Sequence, residues 1–215
     1  MPTDTPLEAL DTRPQLLIFG AGGHGRVVAD AALLAPNPPT VVASDRNADI
    51  CHGELLPSVC LKDAKTAQLL NASVHIAIGS NQAREKEAGF WGHYRLLSVF
   101  HPAACVSPFC RVAAGSFVAA GAVIAPGAVL GVGVIVNHGA VVDHDVQVGD
   151  FSHIAPNASL GGHVSVGRRV LIGAGAVILP SVSIADDVTV GAGAVVTTNL
   201  TAPGIYAGIP ARKIK

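Results

Sequence analysis

The residues best placed to do chemistry are those of Val142-Asp143-His144-Asp145, where an imidazole stands between two carboxylates. A carboxylate beside a histidine fixes its tautomer and raises its basicity, the two properties that a general base working near neutral pH requires. No serine or cysteine flanks His144, so the base has no adjacent side-chain nucleophile to activate. His138, His153 and His163 fall in the same part of the chain.

A second constellation is Gly20-Ala21-Gly22-Gly23-His24-Gly25, which follows the apolar run Leu16 to Phe19 and precedes Arg26 to Asp30, a segment fit for a helix. The G-x-G-x-x-G spacing between strand and helix suits a phosphate. Gly20 permits the tight turn, Gly22 lets an anion approach the backbone, and Gly25 permits close helix packing. Taken alone, the motif also fits a plain turn with no ligand. Thr40 to Ala43 reads as a second strand ending near Asp45, about where the ribose-binding acid of a dinucleotide fold lies. A third strand, Val74 to Ile78, ends in Gly79-Ser80-Asn81, a helix follows over Asn81 to Trp91, and Leu96 to Val99 is expected as a fourth strand. The space from about residue 15 to 100 is too short for a six-stranded nicotinamide domain and suits a half-site for a nucleotide-linked sugar.

These elements are followed by a repeat that must position His144. From Val106 through Val112, Val118 and Ile124 to Val196, every sixth residue is Val, Ile or Leu, and four residues after each comes a mostly small or β-branched one. Three six-residue faces make one triangular coil, with the aliphatic position filling the prism and the small residue set beside the turn. Coils stack at the spacing of neighbouring strands, about 4.8 Å, so residues 18 apart lie one above the other along an edge. Polar groups are expected only on turns and outer faces. The stacking places Gly162 above His144 and His163 above Asp145, so Asp145 serves either His144 as its orienting partner or His163 as a structural bridge. Gly161-Gly162 reads as an open place whose backbone N–H groups would hold a thioester carbonyl as charge develops on its oxygen. The stretch Pro203 to Arg212 leaves the register and caps the open end, as solenoids require.

Composition narrows the function classes. Fourteen basic against fifteen acidic residues, 13% charged in all, give no electrostatic footprint for nucleic acid or an anionic membrane. Cys51, Cys60, Cys105 and Cys110 contain no C-x-x-C pair and read as reduced thiols rather than a metal site or disulfides. Residues 1–14 lack a basic and an apolar region and are expected to be a disordered leader of a cytoplasmic protein. The charge-free run from Val112 to Val142 is interrupted by six glycines and Pro126, which speaks against a membrane helix. The expected plan is a leader over 1–14, a Rossmann-like α/β domain over 15–100, the hexapeptide-repeat β-helix over 101–202 and a cap over 203–215.

Together these stretches resemble the bacterial nucleotide-sugar acyltransferases that join a small Rossmann-like domain to a left-handed parallel β-helix of hexapeptide repeats. The likeness is carried by Gly20 to Gly25, Ala77-Ile78-Gly79-Ser80-Asn81, Asp143-His144-Asp145, Gly149-Asp150-Phe151-Ser152-His153 and Gly208-Ile209-Pro210-Ala211-Arg212. It is strongest to the acetyl-CoA-dependent N-acetyltransferases of UDP-4-amino-4,6-dideoxy sugars, with sialic acid O-acetyltransferases as relatives. The left hand of the coil is taken from this resemblance. The resemblance implies His144 as general base and Asp145 as its orienter, although Glu is common in the family where Asp145 stands. It implies that His153 touches the acetyl-thioester, with Gly161, Gly162 and Gly173 also along acetyl-CoA. Gly20, Gly22, Gly23, His24, Gly25, Asp45, Gly79, Asn81 and Asn137 would line the nucleotide-sugar site. It further implies acetyl-CoA as co-substrate, no metal, and a homotrimer binding coenzyme A between neighbouring prisms. The expected activity is N-acetylation of a nucleotide-linked 4-amino sugar, with O-acetylation of a sugar and a nucleotide-sensing scaffold as alternatives.

Overall fold

The computed structural model describes residues 15–47 and 72–215. The expected leader, Cys51 and Cys60 lie outside them. Strand β1 (Gln15–Phe19) is the centre of a parallel sheet in the order β2-β1-β3, flanked by β2 (Thr40–Ser44) and β3 (Ser73–Ile76). Helix α1 (Gly23–Leu33) crosses over one side of the sheet and α2 (Asn81–Phe90) covers the other. Helix α1 buries small side chains, Ala29, Ala31 and Ala32 with Val28, and so can lie close to two surfaces at once. Leu16 and Ile18 of the sheet meet it from one side, while Val99, Phe117, Ala119 and Ile135 of the prism meet it from the other. Across the sheet, Trp91 and Ala88 pack with Leu17, Phe19, Val74 and the prism residue Phe151.

The expected fourth strand is divided between two structures. Leu96 bridges to Val74 of the small sheet, whereas Val99–Phe100 pairs in parallel with Phe117–Val118. Phe100 stands six residues before Val106, so the repeat begins one hexad earlier than its aliphatic series indicates. An aromatic, 40% exposed at the start of the prism, conceals that first turn in the sequence.

Two-residue strands such as Val141–Val142, Gln147–Val148 and His153–Ile154 stack into three parallel sheets. Partners are 18 residues apart, as in Ile135 with His153 and His153 with Leu171. The aliphatic position is buried throughout from Val118 to Val196, at most 3% exposed, and from Ser116 to Leu200 the position four residues on is equally inside, at most 5% exposed. The second position therefore belongs to the core rather than beside the turn. The interior also admits two hydroxyls. Ser116 Oγ donates to the Gly131 carbonyl and accepts from Val134 N–H, and Ser152 Oγ donates to Gly167 and accepts from Val170. A serine with both donor and acceptor satisfied is tolerated in such a core.

The corners explain which side chains leave the prism. The fourth hexad position is left-handed at Gly115, Gly121, Gly127, Gly133, Gly139, Gly175 and Gly193, and also at Asp145, Asn157, His163 and Asp187, with φ near +60°. An L-residue there costs roughly 1–2 kcal/mol, and the coil's parallel ladder over-determines it. At the C-terminal end Gly204–Ala207 extends one sheet, Arg212–Lys213 folds back antiparallel to it, and Tyr206 and Ala211 close the core. Among the described residues no helix is long and apolar enough to cross a membrane.

Candidate active site

His144 occupies the corner between the sheets of Val141–Val142 and Gln147–Val148. Its Nδ1 lies 3.0 Å from Asp145 Oδ2. A carboxylate only accepts, so Nδ1 carries the hydrogen and Nε2 keeps its lone pair. The hydrogen bond to Asp145 raises the His144 pKa above 6.5, and the charges of Asp143 and Asp145 add to it. Asp143 also accepts the His144 backbone N–H at 2.7 Å. The short aspartate reaches from a left-handed corner, φ 58°.

One coil above, His163 N–H donates to the His144 carbonyl at 3.0 Å, and His163 Nε2 stands 3.8 Å from the same Asp145 oxygen. Of the two partners open to Asp145, His144 makes the hydrogen bond and His163 is held beyond hydrogen-bond length. The expected open place at Gly162 is filled. The His144 ring lies over it, and a Cβ on Gly162 would collide with Nε2 and Cε1. Gly161 N–H is bonded to the Ile178 carbonyl at 3.0 Å and Gly173 N–H to Val190 at 2.8 Å. Both are committed to the coil ladder and are not free donors for an oxyanion.

A second cluster lies at the seam between the α/β domain and the prism. Asn137 Oδ1 accepts from His138 N–H, which turns Nδ2 toward His153 Nε2 at 3.1 Å. The amide can only donate there, so His153 Nε2 is bare. Burial, aided by the nearby Arg84 charge, pushes the His153 pKa down to about 4, opposed by a hydrogen bond with Gly79 backbone. His24 sits edge-on to Phe117 with its buried Nε2 lacking a hydrogen-bond partner. Its pKa is pushed down to about 3, first by burial and then by the charges of His75 and His153. A cleft of about 430 Å³ opens above His153, lined by Gly79, Asn81, Arg169 and Thr189 among others.

The glycine turn is built as its spacing requires. Gly20 has φ +105° and a Cβ there would strike the Ala77 carbonyl, while a Cβ on Gly25 would strike Gly20 itself. Gly22 and Gly23 face open space at the start of α1, and among the described residues no side chain caps that end. Free N–H groups in that position favour an anion. Asp45 is turned inward to the turn, accepting Ala21 N–H and Asn47 N–H, each at 2.9 Å. Asn81 is also occupied. It donates to the Arg169 and Val170 carbonyls and accepts from Arg84.

Comparison with known proteins places this architecture. Residues 15–88 match the family described as PglD N-terminal domain, and residues 163–198 match bacterial transferase hexapeptide repeats. The acetyltransferase domain of PglB from Neisseria gonorrhoeae FA1090 is 33% identical, over 93% of this chain and 99% of that one, with a TM-score of 0.84. It has also been solved in complex with acetyl coenzyme A. The chain belongs to the bacterial sugar acetyltransferases of the left-handed β-helix superfamily. PerB from Caulobacter crescentus, solved in complex with CoA and GDP-perosamine, is 34% identical to this acetyltransferase over 94% of its chain and 97% of PerB, with a TM-score of 0.87. The hand that the period alone leaves open is thereby left.

Along the chain of this sugar acetyltransferase, residues singled out in the sequence fall into two groups in different places. His144, Asp145, Gly161 and Gly162 share one corner. His153, Asn137, His24, Gly79 and Asn81 gather on the sheet that the α/β domain covers. Sequence reading missed Arg84, which is 1% exposed and donates to carbonyls of both domains: Ile78 on its own side, Gly133 and Phe151 on the prism. In the sequence it is one charge among several on a polar helix, and its burial follows only from domain docking.

Proposed function

We propose that this protein transfers the acetyl group of acetyl-CoA to the 4-amino group of a nucleotide-linked amino-deoxy sugar, with His144 as general base. The observation that carries the reading is the Asp145–His144 pair, which leaves Nε2 with a lone pair and an elevated basicity on an exposed corner. The neutral amine attacks the thioester carbonyl, the C–N bond forms, Nε2 takes the amine proton, and the tetrahedral intermediate expels CoA thiolate. Asp145 holds Nδ1–H and stabilises the imidazolium. His153, kept neutral and held by Asn137 and the Gly79 backbone, would pack against the thioester at the cleft, and the open N–H groups around Gly22 and Gly23 would hold the diphosphate. A homotrimer brings the His144 corner of one prism against the seam of its neighbour, which uniting the two groups requires. UDP is the expected carrier, with GDP, which accompanies PerB in its complex, as its rival. The free thiols of Cys105 and Cys110 suit a reducing compartment such as the cytoplasm.

Labelled acetyl-CoA and a set of UDP-, dTDP- and GDP-linked 4-amino sugars test this directly. An alkali-stable labelled product is expected from one of them. His144→Ala should lower kcat by roughly 10²–10⁴ while acetyl-CoA binding is retained. Wild-type turnover in that variant would remove His144 from the reaction.

A further inference from the structure

The corner that holds the base has a second chemistry. Among the described residues, one trio of His, Cys, Asp or Glu side chains brings a donor atom from each within 4.8 Å of the others, and it is His144, Asp145 and His163. We propose that His144 Nδ1, Asp145 Oδ2 and His163 Nε2 form a Zn²⁺ site that silences the base.

Ligands 2.0–2.1 Å from a tetrahedral zinc ion stand about 3.4 Å from one another. The two separations from Asp145 Oδ2 bracket that value, 3.0 Å to His144 and 3.8 Å to His163. Small side-chain rotations close the difference. The frame is fixed by backbone, because Asp145 and His163 occupy left-handed corners stacked 18 residues apart on one edge, at φ 58° and 59°. The two rings meet edge to face, 88° apart with centroids at 5.1 Å, so they do not stack flat against each other. Two imidazoles and one carboxylate are a donor set that zinc accepts with three protein ligands, its fourth position left to water. All three side chains are more than half exposed, so the ion has a path in.

The consequence follows from proton placement. Zinc at Nδ1 takes the lone pair that the hydrogen now occupies, and the proton moves to Nε2. A neutral imidazole with metal on one nitrogen and hydrogen on the other has no lone pair for an amine proton. The site itself stands on geometry, whereas the loss of activity rests on the acetyltransferase reading above.

Calorimetric titration of the full chain with ZnCl₂ tests the site. One zinc per chain is expected, weakened by at least about tenfold in His163→Ala and unchanged in His93→Ala, which alters an exposed histidine outside the trio. Acetyl transfer by the wild type should fall as zinc saturates that site, and His163→Ala should require correspondingly more zinc. Equal zinc affinity in wild type and His163→Ala, or no binding to the wild type, overturns the site. Absence of acetyl transfer to any tested sugar overturns the functional reading instead, and the calorimetry still decides the metal.

Discussion

At the residue scale, the critical position beside the base is a glycine with no unusual backbone conformation. Gly162 yields its side-chain volume to the His144 ring, so Gly162→Ala is tolerated by the coil and not by the imidazole. A shift of about 1 Å in a catalytic group costs around 10²-fold. The expected outcome is a fall of that order in kcat with the melting temperature nearly unchanged, read by steady-state kinetics and calorimetry on the same sample. Unaltered kcat would mean that the ring adapts. The sequence stacking had already put Gly162 over His144. It did not tell whether the space was free for substrate or taken by the histidine, because side-chain rotamers are not set by register.

At the scale of elements, the seam between α2 and the prism depends on one buried guanidinium. Among the described residues Arg84 has no carboxylate partner, and it satisfies carbonyls of Ile78, Gly133 and Phe151. Burial pushes its pKa down to about 10, still high enough to keep it charged. Arg84→Met leaves those carbonyls without their donor, and a loss of about 3 kcal/mol or more is expected in urea denaturation. Three imidazoles lie at the same seam with pKa values below 6.5: His75 and His153 at about 4, His24 at about 3. Below pH 6.5 the unfolded chain binds protons that the folded chain refuses, so stability falls as pH drops from about 6.5 toward 4. Each group contributes up to about 1.4 kcal/mol per pH unit in that window. Thermal melts should be nearly level above pH 7 and decline below 6.5. A flat profile down to pH 5 would contradict the burial of these histidines.

At the scale of the whole molecule, the base corner lies on the prism between two of its sheets and the glycine turn lies in the α/β domain that covers the third, so the proposed site draws on two subunits. A complementation experiment separates this from a site within one chain. His144→Ala and Gly22→Trp, the second blocking the open space at the start of α1, should each be inactive alone. Mixed under conditions of subunit exchange, they should regain activity, since some interfaces then pair an intact base with an intact turn. A mixture no more active than its components would place the site within one subunit.

Much of this was legible in the chain. An unbroken six-residue period specifies a stacked triangular coil because each inward position recurs once per face, and it gives the 18-residue stacking that set His163 over Asp145. The strand-turn-helix signature around Gly20 was equally local, since the turn's tight contacts admit no other residue there. Tertiary structure alone decided which histidine Asp145 serves, because register brings both within reach and only the side-chain geometry, 3.0 Å to His144 Nδ1 against 3.8 Å to His163 Nε2, separates them. It likewise decided that Arg84 is buried, that Phe100 opens the prism, and that Asn81 and Asp45 are engaged by backbone groups. Those outcomes depend on how two separately stable surfaces meet, and periodicity within either surface carries no information about the other.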